Sequence, residues 1–425
     1  MSEKLILNEG QAEAVDRIMS FINSPAKHFF LLSGRPGTGK TTCVKEIAEQ
    51  VKGKIIFTAP TNKATKVLRE TLTTRSYSPI CKTTYSLLGM KMDKTGKARK
   101  IRAPKNPVNL ADYKVVVVDE ASMLKGDLWN YLSAAAKQFR LKIVFLGDDK
   151  QLPPVNEVVS LVWKKAEEQY KLLEIIRFGS QIQILSDTVR TQIDSPCPRI
   201  SFDAQNDGLQ GIWNMNKMEF LATIQHHARE ELFSKGGEKV IAWRNKTVEY
   251  FNRIIRAELF DNPEEQEWLP SDRILLSEPA INEAGALVGS TDEEGVIESI
   301  EVEQNPVFPE FTCWHISMLS EENRIVSLWV LHPDSQKDFA NKCKELAALA
   351  SESSWKWKDF WNFQEAFHSI KYAYAITAHR SQGSTYKTAF VVWDDILMNR
   401  NRVEGFKCLN VAITRPTTKL ILGRM

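Results

Sequence analysis

The stretch GRPGTGKTT, Gly34 to Thr42, has the residue types and spacing to hold a polyphosphate. Gly34, Gly37 and Gly39 let the backbone wrap an anion, so that loop N–H groups and the start of a helix face it. Lys40 would reach the β- and γ-phosphates and Thr41 would hold Mg2+, which makes Gly37, Thr38, Gly39, Lys40, Thr41 and Thr42 the expected nucleotide-binding set. A second block, VVVVDEAS at 115 to 122, places Asp119 and Glu120 side by side. One carboxylate can orient the metal while the next polarises water for attack on the γ-phosphate, a division of labour that hydrolysis needs and a kinase does not. In a third block, LGDDKQLPPV at 146 to 155, the amide of Gln151 can bond the γ-phosphate or the attacking water and report its loss.

The elements that must carry these residues are legible from hydropathy. The apolar run His28 to Ser33 precedes the glycine loop as a strand. Val115 to Val118 is apolar throughout, the mark of a strand buried on both faces of a parallel sheet, and Asp119 emerges at its carboxyl end, where open α/β sheets bind ligands. Lys142 to Leu146 reads as another such strand. Asn8 to Ile22 reads as an amphipathic helix with Ala12, Val15, Ile18, Met19 and Ile22 on one face.

Composition sets the frame. The 425 residues exceed a single ordinary core, and 43% hydrophobic with 26% charged content is ordinary for a soluble globular protein. No window approaches a membrane span and the first residues resemble no signal peptide, so a cytoplasmic location is expected, the host cytoplasm if the chain is phage-encoded. Six scattered cysteines without a Cys-x-x-Cys pair point to reduced, mostly buried thiols rather than zinc. A net charge of +3 does not by itself argue for nucleic acid. Its distribution does more, since Lys91, Lys94, Lys97, Arg99, Lys100, Arg102 and Lys105 crowd one stretch against Asp93. That stretch is either a solvated basic loop or a hairpin that tracks phosphates.

Alternating strand and helix patterns predict an α/β chain of two RecA-like P-loop lobes. A β-hairpin insertion turns at Lys94-Thr95-Gly96. A second insertion starts with short strands (Arg273 to Leu276, Gly295 to Val302, Phe311 to Met318, Ile325 to Val330) that suggest a small barrel. It continues as a helix over Ser335 to Ser351, with Phe339, Cys343, Leu346, Ala347 and Ala350 on one face, and a return helix over Lys358 to Ile370. Trp355, Trp357 and Trp361 between them are either core or a surface that meets the other insertion. The expected boundaries are residues 1–82 with 110–176 for the first lobe, 83–109 for its hairpin, 177–253 with 371–425 for the second lobe, and 254–370 for the barrel and helical tower.

Taken in order, these blocks together with AITAHRSQGST at 375 to 385 and VAITRP at 411 to 416 resemble the superfamily 1B, RecD-like DNA helicases, and most of all the Dda-type phage helicases. KDFWNFQEAF at 358 to 367 shares the likeness, which covers nearly the whole chain. The resemblance implies an SH3-like barrel in the second insertion and makes LNEGQAEAV the adenine-reading segment through Gln11, although Asn8-x-x-Gln11 is also a helix capping box. It makes Pro60, Thr61, Asn62, Thr84 and Tyr85, from TAPTNKAT and KTTYSLLG, candidate contacts to a single strand. Trp243 and Asn245 in IAWRNKTVEYFN join them, with ordinary core as the alternative for Trp243, as do Thr377, His379, Ser381 and Gln382. Arg190 in LSDTVRT and Arg415 match positions that act as arginine fingers, neutralising charge on the transferring phosphoryl group.

Two departures qualify the likeness. Pro416-Thr417-Thr418 follows Arg415 where the family often has a second basic residue, and Met90 to Asn106 contains no aromatic to wedge a duplex. The resemblance implies ATP and Mg2+ as cofactors, 5′ to 3′ movement on single-stranded DNA, action at ss/ds junctions, and a monomer that meets single-strand-binding or recombination proteins. A translocase that displaces proteins without separating strands, an RNA helicase, or a P-loop switch are the competing readings, because stacking and phosphate contacts hardly distinguish DNA from RNA.

Overall fold

The computed structural model describes residues 7–425 except 52–53, 75–76, 93–97, 101–107, 155–156, 175–180, 196–197 and 199; the expected hairpin turn lies outside the described residues, as do the side chains of 91–107. The chain divides into two compact units, Met1–Met215 with Ser381–Met425, and Asn216–Arg380.

The first unit is organised by a six-stranded, wholly parallel sheet. Its spatial order is Cys81–Thr83, Ile55–Ala59, Val115–Val118, Lys142–Gly147, Phe29–Gly34 and Glu168–Leu172. Because successive side chains point to opposite faces, each apolar run feeds two cores at once. Phe30, Leu32, Val115 and Val117 pack with Ala14, Ile18, Cys43 and Ile47 of the helices Glu9–Asn23 and Lys40–Val51. Phe29, Leu31, Val116 and Val118 face Leu128, Trp129 and Leu132 of the helix Gly126–Phe139. This is the doubly wound arrangement the sequence implied, and it sets the carboxyl ends of Phe29–Gly34, Lys142–Gly147 and Val115–Val118 side by side.

In the first helix the buried face is Gln11, Ala14, Val15, Ile18, Phe21 and Ile22. Ala12 is exposed. The expected stripe was one step out at its start, because Ala14 and Phe21 complete the i, i+4, i+7 row through Ile18.

The same unit holds a second group of strands. Tyr386–Val392, Pro416–Gly423 and Gly211–Met215 run parallel, with Gln205–Asn206 antiparallel at the edge. The helices Gln181–Ile193 and Arg402–Ile413 belong with them, joined by a buried bond of 2.9 Å from Ser186 Oγ to Asn410 Oδ1.

The second unit pairs Glu238–Ala242 in parallel with Ala375–Thr377. Beside these lies an antiparallel sheet in the order Ile325–Leu331, Thr312–Ser320, Glu294–Gln304, Arg273–Leu276 and Ile370–Tyr372. Four of these strands cover the segments read from sequence. The helix Gln336–Glu352 matches its expectation, whereas the return helix spans Trp357–Glu365 and stops short, because Ile370 is taken into the sheet. The aromatic core of this helical pair comes from Phe308, Phe311, Phe339, Phe363 and Phe367. Trp355, at 70% exposure, is not part of it.

The expected hairpin is present as Met90–Met92 paired antiparallel with Ala98–Lys100. None of the five described cysteines forms a disulfide, and four of them are buried. No helix among the described residues is long and apolar enough to cross a membrane.

Candidate active site

Backbone conformation builds the phosphate loop before any side chain acts. Gly37 and Gly39 hold φ of 83° and 84°, a region that residues with a Cβ rarely occupy. A Cβ on Gly34 would lie 2.6 Å from Thr38 Oγ1 and 3.1 Å from Leu172 Cβ, so the strand can enter the loop only as glycine. Thr38, which is buried, donates its hydroxyl to the Arg35 carbonyl at 2.9 Å. Lys40 Nζ donates to the carbonyls of Gly34 and Arg35 at 2.7 and 3.0 Å, so the ammonium is held over the loop's own centre. Thr41 and Thr42 follow on the first turn of the helix, part-exposed.

Gln11 supports this loop from below. Its Oε1 accepts the Asn8 N–H at 3.1 Å while Asn8 Oδ1 accepts the Gln11 N–H at 2.8 Å, which completes the capping box. The other end of the amide, Nε2, donates to the Thr38 carbonyl at 3.2 Å.

The carboxylates sit at the end of Val115–Val118. Asp119 donates its N–H to Thr58 O at 2.8 Å, continuing the sheet by one bond. Glu120 then adopts φ 50°, ψ 43°, a left-handed conformation that disfavours residues with a side chain and is concentrated at functional sites. This turn brings the Glu120 N–H to Asp119 Oδ1 at 2.8 Å. Burial pushes both carboxyls upward. Glu120 rises to about 7, since the Asp119 charge adds to burial and the charges of Arg415 and Lys40 only partly oppose it. Two crowded acids with too little positive charge form a donor set that fits a divalent cation. Asp119 with the Thr41 hydroxyl are the residues that would hold it.

At the end of Lys142–Gly147, Asp148 is 1% exposed and takes a bidentate grip from Arg190, with both bonds at 2.7 Å. Burial alone would raise the Asp148 carboxyl, but the Arg190 bonds and charge outweigh it and hold it below the usual range. The expected finger Arg190 is therefore seated on a buried partner that sequence reasoning did not name. Asp148 stands in the GDDKQ block, and its position at a strand end was the available signal.

Arg415 is also buried. Nε donates to Val411 O at 2.8 Å, Nη1 to Ser384 O at 3.0 Å and Nη2 to Thr414 Oγ1 at 3.0 Å, and its charge is felt at Glu120. Gln151 Oε1 accepts from Ser122 Oγ at 3.4 Å and from Gln382 Nε2 at 3.1 Å. Ser122, two residues past Glu120, was not singled out from sequence; its place inside DEAS was the only clue.

The candidate strand contacts divide by accessibility. Asn62 is exposed, and Pro60 and Thr61 are part-exposed, with Thr61 capping the helix Asn62–Leu72 through Ala64 N–H. Thr84 is buried with its hydroxyl accepting from Thr58 at 3.1 Å, and Tyr85 packs in part against the core, so neither stands fully open in this conformation. Ser381 and Gln382 are buried, Gln382 bonding Gln151 through Nε2 while its Oε1 has no hydrogen-bond partner among the described residues. In the second unit, Trp243 is part-exposed directly after Glu238–Ala242, and Asn245 is exposed at the start of the helix Asn245–Leu259. Thr377 and His379 are part-exposed at the end of Ala375–Thr377.

A parallel sheet with a glycine loop, a strand-end Asp-Glu pair and two buried arginines around one cluster defines a P-loop nucleoside triphosphatase. Comparison with known proteins narrows this class. Residues 6–195 match the AAA domain family and residues 372–422 the UvrD-like helicase C-terminal domain. The ATP-dependent DNA helicase dda of Enterobacteria phage T4 is 24% identical, over 91% of this chain and 92% of that protein. An uncharacterized protein of Acanthamoeba polyphaga mimivirus, R530, is 23% identical over 98% of this chain and 99% of its own length. Among solved structures, Bacteroides Pif1 bound to ssDNA shares the fold with a TM-score of 0.53 at 16% identity, covering 99% of this chain and 92% of that one. Candida albicans Pif1 helicase shares it with a TM-score of 0.51 at 16% identity, covering 99% of this chain and 94% of that one. The chain thus joins an AAA domain to a UvrD-like helicase C-terminal domain, is similar along most of its length to the dda helicase, and shares the fold of the Pif1 helicases.

Proposed function

We infer that this chain is an ATP-dependent DNA helicase that moves along single-stranded DNA, 5′ to 3′, and separates duplex at an ss/ds junction. The observation that carries the reading is the single cluster of Lys40, Asp119, Glu120, Gln151 and Arg415, in which a poised carboxylate meets phosphate-binding and charge-neutralising groups. Lys40 exchanges its two loop carbonyls for β- and γ-phosphate oxygens. Thr41 and Asp119 would hold Mg2+, which when bound would neutralise charge on the phosphates. Glu120 accepts the proton of the attacking water. Arg415, and Arg190 on release from Asp148, balance charge that develops on the transferring group. Gln151 senses the γ-phosphate and passes its state to Gln382, which belongs to the segment that also carries Thr377 and His379. Gln11 reads adenine only if its amide lets go of Asn8 or Thr38.

The surrounding parts follow the same reading. Residues 1–82 with 110–176 and 177–253 with 371–425 serve as two RecA-like lobes, 83–109 as the separating pin, and 254–370 as an SH3-like barrel with a helical tower. Pro60, Thr61, Asn62, Tyr85, Trp243 and Asn245 track the strand. A base-pair step costs about 1.4 kcal/mol on average, within the reach of one ATP.

The test is single-turnover unwinding, with ATP and Mg2+, of matched duplexes carrying either a 5′ or a 3′ tail, with Lys40→Ala as the blank. Unwinding from the 5′ tail alone supports the reading. Unwinding from the 3′ tail overturns the polarity, and DNA-stimulated hydrolysis without unwinding from either would make the protein a translocase.

A further inference from the structure

The segment Ala375 to Thr385 passes from one compact unit to the other, with the division between Arg380 and Ser381. Past the division, Gln382 is tied to Gln151 at 3.1 Å. Before it, Arg380 is tied to Asp292, a residue in none of the motifs. Arg380 Nη1 stands 2.8 Å from Asp292 Oδ1; the side chains are 28% and 26% exposed, but the two facing atoms are shut off from solvent.

Asp292 is presented from a firm base. It lies in the turn between the strands Leu287–Gly289 and Glu294–Gln304, with φ of 61°, where a residue other than glycine is disfavoured unless its surroundings hold it. They do hold it. Asp292 N–H donates to Leu276 O at 2.8 Å, Glu293 N–H to Ser290 O at 3.0 Å, and Ser290 N–H to Glu293 Oε2 at 2.9 Å, while Arg324 reaches Glu293 Oε1 at 2.8 Å. At the other end of the pair, the Arg380 N–H donates to Thr377 Oγ1 at 3.3 Å. One residue thus joins the antiparallel sheet, by its side chain, to a candidate strand contact, by its backbone.

We propose that Asp292 is a positioning residue for DNA binding: through Arg380 it fixes Thr377 and His379 in the shape that grips a single strand. The proposal rests on the helicase reading above and gives the antiparallel sheet of the second unit a task in that reading. Without the Asp292 carboxylate, Arg380 loses its fixed partner and the Thr377–His379 turn loses its anchor. Lys40, Glu120 and Arg415 lie in the other compact unit, so the loss is expected to fall on strand affinity and not on the hydrolytic step.

The test is the ATPase activity of the full chain as a function of oligo(dT) concentration, for wild type, Asp292→Asn, Arg380→Gln, Arg380→Lys and the double variant Asp292→Asn with Arg380→Gln. Asparagine tolerates positive φ, so Asp292→Asn removes the charge and keeps the turn. Asp292→Asn is expected to raise the half-saturating oligo(dT) concentration roughly threefold to tenfold, the scale of one partly shielded ion pair, with kcat and DNA-free ATPase within about twofold of wild type. Arg380→Lys keeps the charge and is expected to stay closer to wild type than Arg380→Gln. If Asp292 acts through Arg380, adding Asp292→Asn to Arg380→Gln changes nothing further. An unchanged half-saturating concentration in Asp292→Asn overturns the proposal, as does an equal effect of that substitution in both backgrounds. If wild type shows no stimulation by oligo(dT), both this proposal and the helicase reading fall; if it is stimulated and Asp292→Asn behaves as wild type, only this proposal falls.

Discussion

Gln382 donates its amide to the Oε1 of Gln151 across 3.1 Å, and the same oxygen accepts from Ser122 Oγ at 3.4 Å. Two residues from separate motifs, Gln382 and Ser122, thus donate to one acceptor and together fix its orientation. Replacing Ser122 by Ala leaves Gln151 held from one side only. We expect kcat for DNA-stimulated ATP hydrolysis to fall about fivefold, the value of one hydrogen bond of about 1 kcal/mol. Steady-state ATPase at saturating DNA checks this, and an unchanged kcat would mean that the serine is only packing.

Lys40→Ala is expected to abolish turnover. Glu120→Gln separates binding from chemistry, because the amide keeps the shape of the turn but cannot take a proton. Hydrolysis should fall by about 10² to 10⁴, the range for losing a general base, with nucleotide binding retained. Rapid-quench hydrolysis alongside fluorescent-nucleotide titration measures the two separately; normal DNA-stimulated turnover in either variant would overturn the assignment.

The buried pair of Arg190 and Asp148 makes a prediction about pH. The Asp148 carboxyl is held below its ordinary value in the folded chain, so ionisation favours folding above the unfolded pKa of about 3.9 and that contribution fades as pH falls through the lower folded value. Asp148→Asn should remove on the order of 3 kcal/mol at neutral pH, since it strands a buried guanidinium, and the deficit should shrink as acid protonates the wild-type group. Urea melts at pH 7 and at pH 3 to 4 give both numbers. A deficit that stays constant with pH would show that the carboxylate charge contributes nothing.

Gly34→Ala tests the loop by volume alone. With Thr38 Oγ1 at 2.6 Å and Leu172 Cβ at 3.1 Å from the added methyl, Thr38 must turn away and its bond to Arg35 O is lost. Overpacking of this kind costs roughly 1 to 3 kcal/mol. ATP affinity should weaken by at least tenfold, measured by titration calorimetry, and wild-type affinity would show that the loop relaxes freely.

The parts that could be read in advance were those written into contiguous residues. Val115–Val118 is apolar on both faces and was found as a buried strand, and Lys40, Asp119 and Glu120 announce themselves by spacing after such strands. Features that depend on distant chain were not legible. Asp148 and Arg190 are 42 residues apart and Arg380 lies 88 residues beyond Asp292, so neither pairing leaves a local pattern. Thr84 looked available for a strand because hydroxyls often serve that role, yet it is buried and bonded by Thr58, 26 positions earlier in the chain. Ala12 was misplaced for a simpler reason: alanine is compatible with either face of a helix, and the larger Phe21 decides which way the helix turns.

The strand Pro416–Gly423 lies between Tyr386–Val392 and Gly211–Met215, although it is the last strand in the sequence. During synthesis this group of strands therefore stays split until residues 416–423 have left the ribosome. Arg415 immediately precedes that strand, and the Arg402–Ile413 helix before it is bonded to the helix that carries Arg190. Both arginines are therefore seated by elements made late in the chain, so a chain truncated before Arg415 keeps the phosphate loop but lacks the strand and arginine that complete the cluster.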